Sequence, residues 1–459
     1  MKIENEIIMN RRIFLIISIV FSALAATAQS AFTLAQLQDS ALQHNIAIRN
    51  ARNGIAAAEE QRKEAFTKYF ANISGTGAWF NANKGMAKMD MNPSEMLPES
   101  LLPVMAQSLP AEMLASLNSP ISMTMMKNGT IAGVNAIQPV FAGGQIVNGN
   151  KLAKVAEEAS HLQLHLSENE VEKTTAQYYW QLVSLQEKMK TIAAVEALLN
   201  DIHKDVDVAV RAGVAMRNDL LQVQLRQNDV ESQRLKLRNG ISLMKLLMAQ
   251  YCGLRDTSFS IAPVADFSEQ LPPSPLTETD KQNSLMRLSE YQLLGKQVDA
   301  AALQKKMAIG QNLPSLAVGA GYNYHNMLGN DRTFAMVFAT VSVPISDWWG
   351  GSHAVKRKKI EYQQAVDEQN DKAEMLKIRM QKAWNDVSEA CLQLSIARRS
   401  IEQAEENLRL NRNQYQAGIS KMSDLLEAQL LYQQALDRRT DAYADYQNRL
   451  LEYRQTVGM

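Results

Sequence analysis

The chain has 459 residues, and its 48 Lys+Arg balance its 48 Asp+Glu, so the formal net charge is zero. That balance argues against nucleic-acid binding through a broad basic surface, because counterion release needs one. Hydrophobic residues make up 46% and charged residues 21%, the composition of a folded chain, and two Cys exclude a disulfide scaffold.

The N-terminus reads as an export signal spanning residues 1–28. Arg11 and Arg12 precede an apolar run from Ile13 to Leu24, and Ala26-Thr27-Ala28 supplies a small-residue exit, with cleavage expected before Gln29. The run is too short for a membrane helix, which needs about 20 apolar residues. No Cys follows that exit to carry a lipid anchor, and no later segment has the length and apolarity of a membrane helix. A spanning structure would then have to be a β-barrel.

The rest reads as two copies of one pattern. Ala56-Ala57-Ala58 recurs as Ala300-Ala301-Ala302, and Gly75-x-Gly77 as Gly319-x-Gly321, both at an offset of 244. Pro139-Val140 recurs as Pro344-Ile345 at 205. Ala212-Gly213 with Asp219-Leu220-Leu221 recurs as Ala417-Gly418 with Asp424-Leu425-Leu426, again at 205. The fall from 244 to 205 means that the first copy carries about 39 extra residues, within Asn81 to Lys127. The expected organisation is a first repeat over 29–255, a linker over 256–274 and a second repeat over 275–459.

Each copy predicts helix, strand, loop, strand, long helix, turn, helix. The first helices are expected over Thr33–Lys68 and Thr277–Gly310. Strands are expected over Phe70–Phe80, Gly129–Phe141, Leu313–Tyr324 and Phe334–Ile345, lengths that suit a tilted membrane strand of about 9–11 residues. Leu316, Val318, Ala320, Tyr322 and Tyr324 alternate with Ala317, Gly319, Gly321 and Asn323. This fits a lipid face ending in an aromatic girdle and a lumen face. A soluble β-domain would alternate similarly, and the export signal favours the membrane.

The long helices carry a 3.5-residue seam. Tyr362, Val366, Gln369, Ala373, Leu376, Met380, Ala383 and Val387 alternate steps of four and three, and the run continues to Leu408. Such a seam supercoils against neighbours. A helix of about 60 residues is ~90 Å long, too long for a compact globule. Four strands cannot close a wide barrel, since about eight are already filled by side chains. Three chains would supply twelve strands under cyclic symmetry.

This order resembles the TolC-like outer-membrane efflux proteins over essentially the whole exported chain. The most specific points are the two tip segments, Ala212-Gly213-Val214 through Asp219-Leu220-Leu221 and Tyr415-Gln416-Ala417-Gly418 through Asp424-Leu425-Leu426-Glu427. The Pro139 and Pro344 junctions, each followed by a Gly pair (Gly143-Gly144 and Gly350-Gly351), also look like the family. The resemblance implies a mainly α fold: a homotrimer with a twelve-stranded transmembrane β-barrel and a periplasmic α-helical coiled-coil tunnel. It implies the outer membrane of a Gram-negative bacterium and contact with its lipid. The implied partners are a periplasmic adaptor and an inner-membrane RND or ABC-type pump, in a duct that exports drugs, proteins or metal ions. No catalytic residue, cofactor, metal or nucleic acid is expected.

Candidate site residues follow. Gly213 and Gly418 fall where one helical pattern ends, so left-handed caps and tight turns are expected there. Asp424 and Glu427 lie one helical turn apart. Threefold repetition would set six carboxylates round one opening, attracting cations. The resemblance gives them the constriction of the periplasmic aperture, and a solvated helix face is the bland alternative. Asp219 is the repeat equivalent of Asp424. The tip turns (Gly213, Asp219, Gly418, Ser420 and Lys421) are expected to dock the adaptor. The family's latching basic residue is matched here by Ser420, with Lys421 beside it, a departure from the pattern.

Other features read blandly. His161 and His165 are four apart, but Leu162 stands where a zinc protease needs Glu, so surface His is favoured over a metal pair. Gly144 to Lys151 resembles a phosphate loop only loosely. Cys252 and Cys391 read as free thiols packed between helices. The insert is Met-rich (Met86, Met89, Met91, Met96, Met105, Met113, Met123, Met125 and Met126). Thioethers can hold Cu(I), yet packing is favoured, in an extracellular loop able to cap the barrel. Three rivals to the channel fit the sequence less well. A periplasmic adaptor has a single helical hairpin, a secreted coiled-coil stalk lacks barrel-length strands, and a periplasmic enzyme needs a constellation that the sequence lacks.

Overall fold

A computed structural model describes residues 31–98, 109–117, 119–262, 280–327, 331–345 and 347–459. The export signal, Met105 and Thr277 lie outside these residues. In chain order the elements begin with β1 (Ala31–Phe32), α1 (Leu34–His44), α2 (Ile46–Thr67), β2 (Asn72–Asn81) and β3 (Ala87–Met91). Then come α3 (Ala111–Leu117), β4 (Ile121–Met125), β5 (Asn128–Ala142), α4 (Gln145–Arg211), α5 (Arg217–Cys252) and β6 (Ser260–Ile261). The chain ends with α6 (Lys281–Arg287), α7 (Ser289–Gln311), β7 (Ser315–His325), β8 (Arg332–Ser342), α8 (Asp347–Gln416) and α9 (Met422–Thr456). No described helix is long and apolar enough to cross a membrane.

Two compact units emerge. One comprises Met1–Ala57, Glu158–Gln297 and Val366–Met459, and the other Ala58–Glu157 and Val298–Ala365. The first is helical. Its seams are buried as the 3.5-residue spacing requires: Leu376, Met380, Ala383, Val387 and Ala390 on α8, and Val171, Leu182, Ile192 and Leu199 on α4. α8 packs there against Tyr446 and Tyr453 of α9, Leu285 of α6 and Leu288 just after it. Near the other core, Met248 and Cys252 of α5 meet Leu37 and Ile48 of α1 and α2. The parallel pair β1–β6 joins Phe32 to Ile261, and its Phe32 and Phe259 rings meet edge to face.

The first helix of each copy is broken, where one continuous helix was expected. Asn45 ends α1: its Nδ2 donates to the Tyr251 carbonyl at 3.0 Å and its Oδ1 accepts the Ala47 N–H at 2.8 Å. An Asn that satisfies backbone groups on both sides offers the chain an alternative to helix continuation. In the second copy the break is at Leu288, and Asp280 caps α6 by accepting the Gln282 N–H.

The second unit holds a four-stranded antiparallel sheet in the order β2-β5-β7-β8. Register is continuous, with Gly75 opposite Val134, Val134 opposite Tyr322, and Tyr322 opposite Ala335. These partners share a face, as do Ile73, Ala136, Ala320 and Val337. That face is uncharged and open, with Val337 86% and Ile73 70% exposed. The other face places Asn135 opposite Gly321 and Asn323 opposite Gly133, so each Asn side chain folds over a facing Gly. The ladder slips once, at Pro139, which cannot donate a ladder bond. β2 and β8 are the sheet's two edges. The insert is more regular than a loop. Ala82 donates to the Lys127 carbonyl at 2.7 Å, and β3 then pairs with β4, with Met89 opposite Met123. Both strands alternate apolar and polar residues, but each run is only five residues long.

Candidate functional site

The two helical hairpins of the first unit end in turns built by the same rules. In α4 the Gly213 N–H bonds the Val210 carbonyl and the Val214 N–H bonds that of Ala209; in α8 Gly418 bonds Tyr415 and Ile419 bonds Gln414. Both are six-to-one plus five-to-two closures, and they require a left-handed residue at the glycine. Gly213 has φ +76° and Gly418 has φ +74°.

Each returning helix is started by an aspartate. Asp219 accepts the Met216 N–H at 3.4 Å, and Asp424 accepts the Lys421 N–H at 3.2 Å. Both sit at the third helical position, where a carboxylate satisfies an orphan donor and faces the positive helix end. Ser423 adds a hydroxyl bond to Asp424 at 3.1 Å. Glu427 is exposed on the same side of α9 as Asp424, while Leu425 and Ala428, each one residue further on, are buried. Among the described residues neither carboxylate has a basic partner. Ser420 is half-buried, with its hydroxyl 3.5 Å from the Asn411 carbonyl, and Lys421 is exposed.

The two turns share a core. Ile202 and Val206 of α4, Val223 of α5, and Met422 and Leu425 of α9 pack together, flanked by Leu220 and Tyr415. Burial raises the Tyr415 phenol above its usual range, and the Asp219 charge adds to it. A cleft of polar and apolar residues, including Asp205, Asn218, Gln222 and Ser423, lies between the turns.

The sequence reading missed the polar bridge above this core. Arg226 of α5 donates Nε to Gln429 Oε1 at 3.0 Å and Nη2 to Gln433 Oε1 at 2.7 Å, and Gln433 donates on to Gln233 at 2.8 Å. Gln429 is fully buried and Gln433 nearly so. Burial lowers the Arg226 guanidinium below its ordinary range, with Asp229 opposing the shift. Two Gln four apart on a helix seam were the available signal.

The remaining predicted residues scatter. Pro139 marks the β5 slip, and Pro344 sits in a tight turn where the Ile345 N–H bonds the Val343 carbonyl. The two Gly pairs differ. Gly143 and Gly144 form the β5–α4 turn with positive φ, and a Cβ on Gly143 would collide with the Gly310 backbone. Gly350 and Gly351 are helical, inside α8, and Gly351 makes room for Asn312. His165 lies 3.1 Å from the Ser289 hydroxyl. Cys252 and Cys391 are free thiols.

The family model for outer membrane efflux proteins matches residues 294–459. The chain resembles the TolC-like outer-membrane efflux proteins. The family is one of outer-membrane proteins by its description. No curated protein matches it significantly. Among solved structures, the outer membrane protein VceC of Vibrio cholerae is 15% identical, with a TM-score of 0.70, covering 93% of this chain and 96% of that one. CusC is 14% identical with a TM-score of 0.75, covering 93% and 92%. The CmeC outer membrane channel of Campylobacter jejuni is 14% identical with a TM-score of 0.70, covering 93% and 85%. At such identities these structures establish the fold alone.

Proposed function

We propose that three copies of this chain form a passive exit duct through the outer membrane, in a tripartite efflux or secretion system. The observation that carries this is the pair of sheet edges. β2 and β8 span 10 and 11 residues, and they end an uncharged sheet face. Long unpaired edges of this kind invite pairing with another chain. Three antiparallel pairings leave β2 and β8 running in opposite directions, so β8 of one copy meets β2 of the next antiparallel. Four strands per copy give twelve for three, past the number that side chains fill. The barrel's lipid face is then the Ile73, Val134, Tyr322 and Val337 face.

In this reading the helical hairpins form a periplasmic tunnel, and the turns at Gly213 and Gly418 dock the periplasmic adaptor. An inner-membrane RND or ABC-type pump supplies the energy, so the duct performs no chemistry. Asp424 and Glu427 line its narrowest opening. The open exposure of both carboxylates and their lack of basic partners support that role, while the Asp424 cap bond adds a structural duty. Light scattering on the detergent-solubilised protein tests the assembly. A mass of three chains is expected. A monomer whose β2 and β8 amides exchange freely would refute it.

A further inference from the structure

Three of the four junctions between helices and sheet share a pattern. Exposed apolar side chains flank the strands, and cations follow one to three turns away. At the α2–β2 junction Phe66, Tyr69 and Phe70 stack edge to face on the surface, with Lys63 and Lys68 nearby. At the β5–α4 junction Phe141 and Val147 are exposed and Lys151 follows. The β8–α8 junction is the strongest. Ile345 is 71% and Trp349 84% exposed, and Lys356-Arg357-Lys358-Lys359 comes next. Between residues 346 and 360 the only acid is Asp347.

Within that basic run the side chains divide. Lys358 is tied to Gln304 and Glu361. Arg357 reaches Glu361 only at 3.6 Å. Lys356 and Lys359 are exposed, with no acidic partner among the described residues. Trp349, His353, Lys356 and Ile360 follow one helical stripe, all exposed. Lys356 is seven residues beyond Trp349, a rise of ~10 Å.

We infer that this collar binds anionic phospholipid headgroups on the helix side of the barrel, through Lys356, Arg357 and Lys359 below an aromatic ring. The inference rests on the membrane reading above. Two physical features carry it. Tryptophan and tyrosine settle at the membrane–water interface, which makes Trp349 the depth marker. Helical side chains lean toward their own N-terminus, and α8 begins at the sheet, so its lysines lean back toward the membrane. Long aliphatic stems then lie along apolar surface with the ammonium at headgroup level. A water-filled lumen gives no reason for three apolar rims to sit beside the strands.

The test uses the purified full-length protein in neutral phosphatidylcholine nanodiscs, titrated with phosphatidylglycerol or phosphatidylethanolamine carrying the dansyl group on an acyl chain, so that the second headgroup stays zwitterionic. A cation near an anionic surface contributes about 1 kcal/mol, or about fivefold. Removing three in K356Q/R357Q/K359Q should weaken phosphatidylglycerol binding on the order of 100-fold. The charge-keeping variant K356R/R357K/K359R should bind like the parent, and added salt should weaken both. Equal affinity for the two lipids, or an unchanged triple variant, overturns the inference. So does full competition by glycerol 3-phosphate, which would mark a site for a free anion. Failure of the parent to enter neutral nanodiscs would instead refute the membrane reading itself.

Discussion

Replacing Arg226 by Met should loosen the tip of the helical unit without unfolding the rest. The guanidinium donates to Gln429 at 3.0 Å and to Gln433 at 2.7 Å, and both acceptors are buried. Hydrogen bonds from a charged group contribute roughly 1.5–3 kcal/mol each, and the stranded acceptors cannot reach water. Part of that is returned, because burial already disfavours the Arg226 charge. A net cost of about 2–4 kcal/mol remains, which is roughly a 30- to 1000-fold rise in local opening. Hydrogen exchange read by mass spectrometry should accelerate in peptides covering Val230 and Gln429, while those covering Leu37 and Met248 stay slow. The triple change R226M/Q429M/Q433M should recover much of the protection, since all the buried polar partners leave together. Uniform acceleration, or none, would refute the reasoning. Gln429 Nε2, which has no partner among the described residues of the parent, gives the triple change a further advantage.

Three further outcomes follow from single groups. Gly418→Ala and Gly213→Ala should each lower stability by about 1–2 kcal/mol, the penalty of a left-handed alanine; nothing lies within 4 Å of either Cβ position, so denaturant midpoints should fall alike. Asp437 is raised by burial, with Lys188 opposing the shift, and its Oδ1 has no hydrogen-bond partner among the described residues. Its charged form is the disfavoured one in the fold, so Asp437→Asn should raise the melting temperature at pH 7, with the gain shrinking as the pH falls and the parent's carboxyl protonates. Burial pushes the Cys252 thiol up to about 11. Iodoacetamide at pH 8 should therefore label Cys391 well before Cys252. Stability should be indifferent to this thiol below its unfolded pKa, then decline as the pH rises toward 11, where only the unfolded chain has already released its proton.

Much of the fold was legible because its elements are long and repeat a simple period. The seam from Ala373 to Ala397 sits buried where steps of four and three placed it. The strand boundaries moved by only a few residues: Phe70–Phe80 became Asn72–Asn81, and Phe334–Ile345 became Arg332–Ser342. What escaped notice depends on distant partners. The break at Asn45 is decided by Tyr251, a residue some 200 positions away in the chain. The β3–β4 ribbon does alternate apolar and polar residues, but over only five residues a strand, a run short enough to pass for a loop. Nothing local to Arg226 shows that α9 places two Gln residues against it. The tip glycines were legible from local rules, since a left-handed closure belongs to its own few residues. The functional weight of Asp424 and Glu427 was not, because a helix cap and an aperture want the same carboxylate.

The central claim is that copies of this chain join their sheet edges into a conducting pore. Conductance of the purified protein in planar bilayers tests it most directly, with the parent set beside an Asp424→Ala/Glu427→Ala double variant. A small, cation-selective conductance is expected from the parent, and a larger or less selective one from the variant, as the carboxylates leave the opening. Absence of any conductance, in a protein that stays soluble without detergent, would contradict the claim.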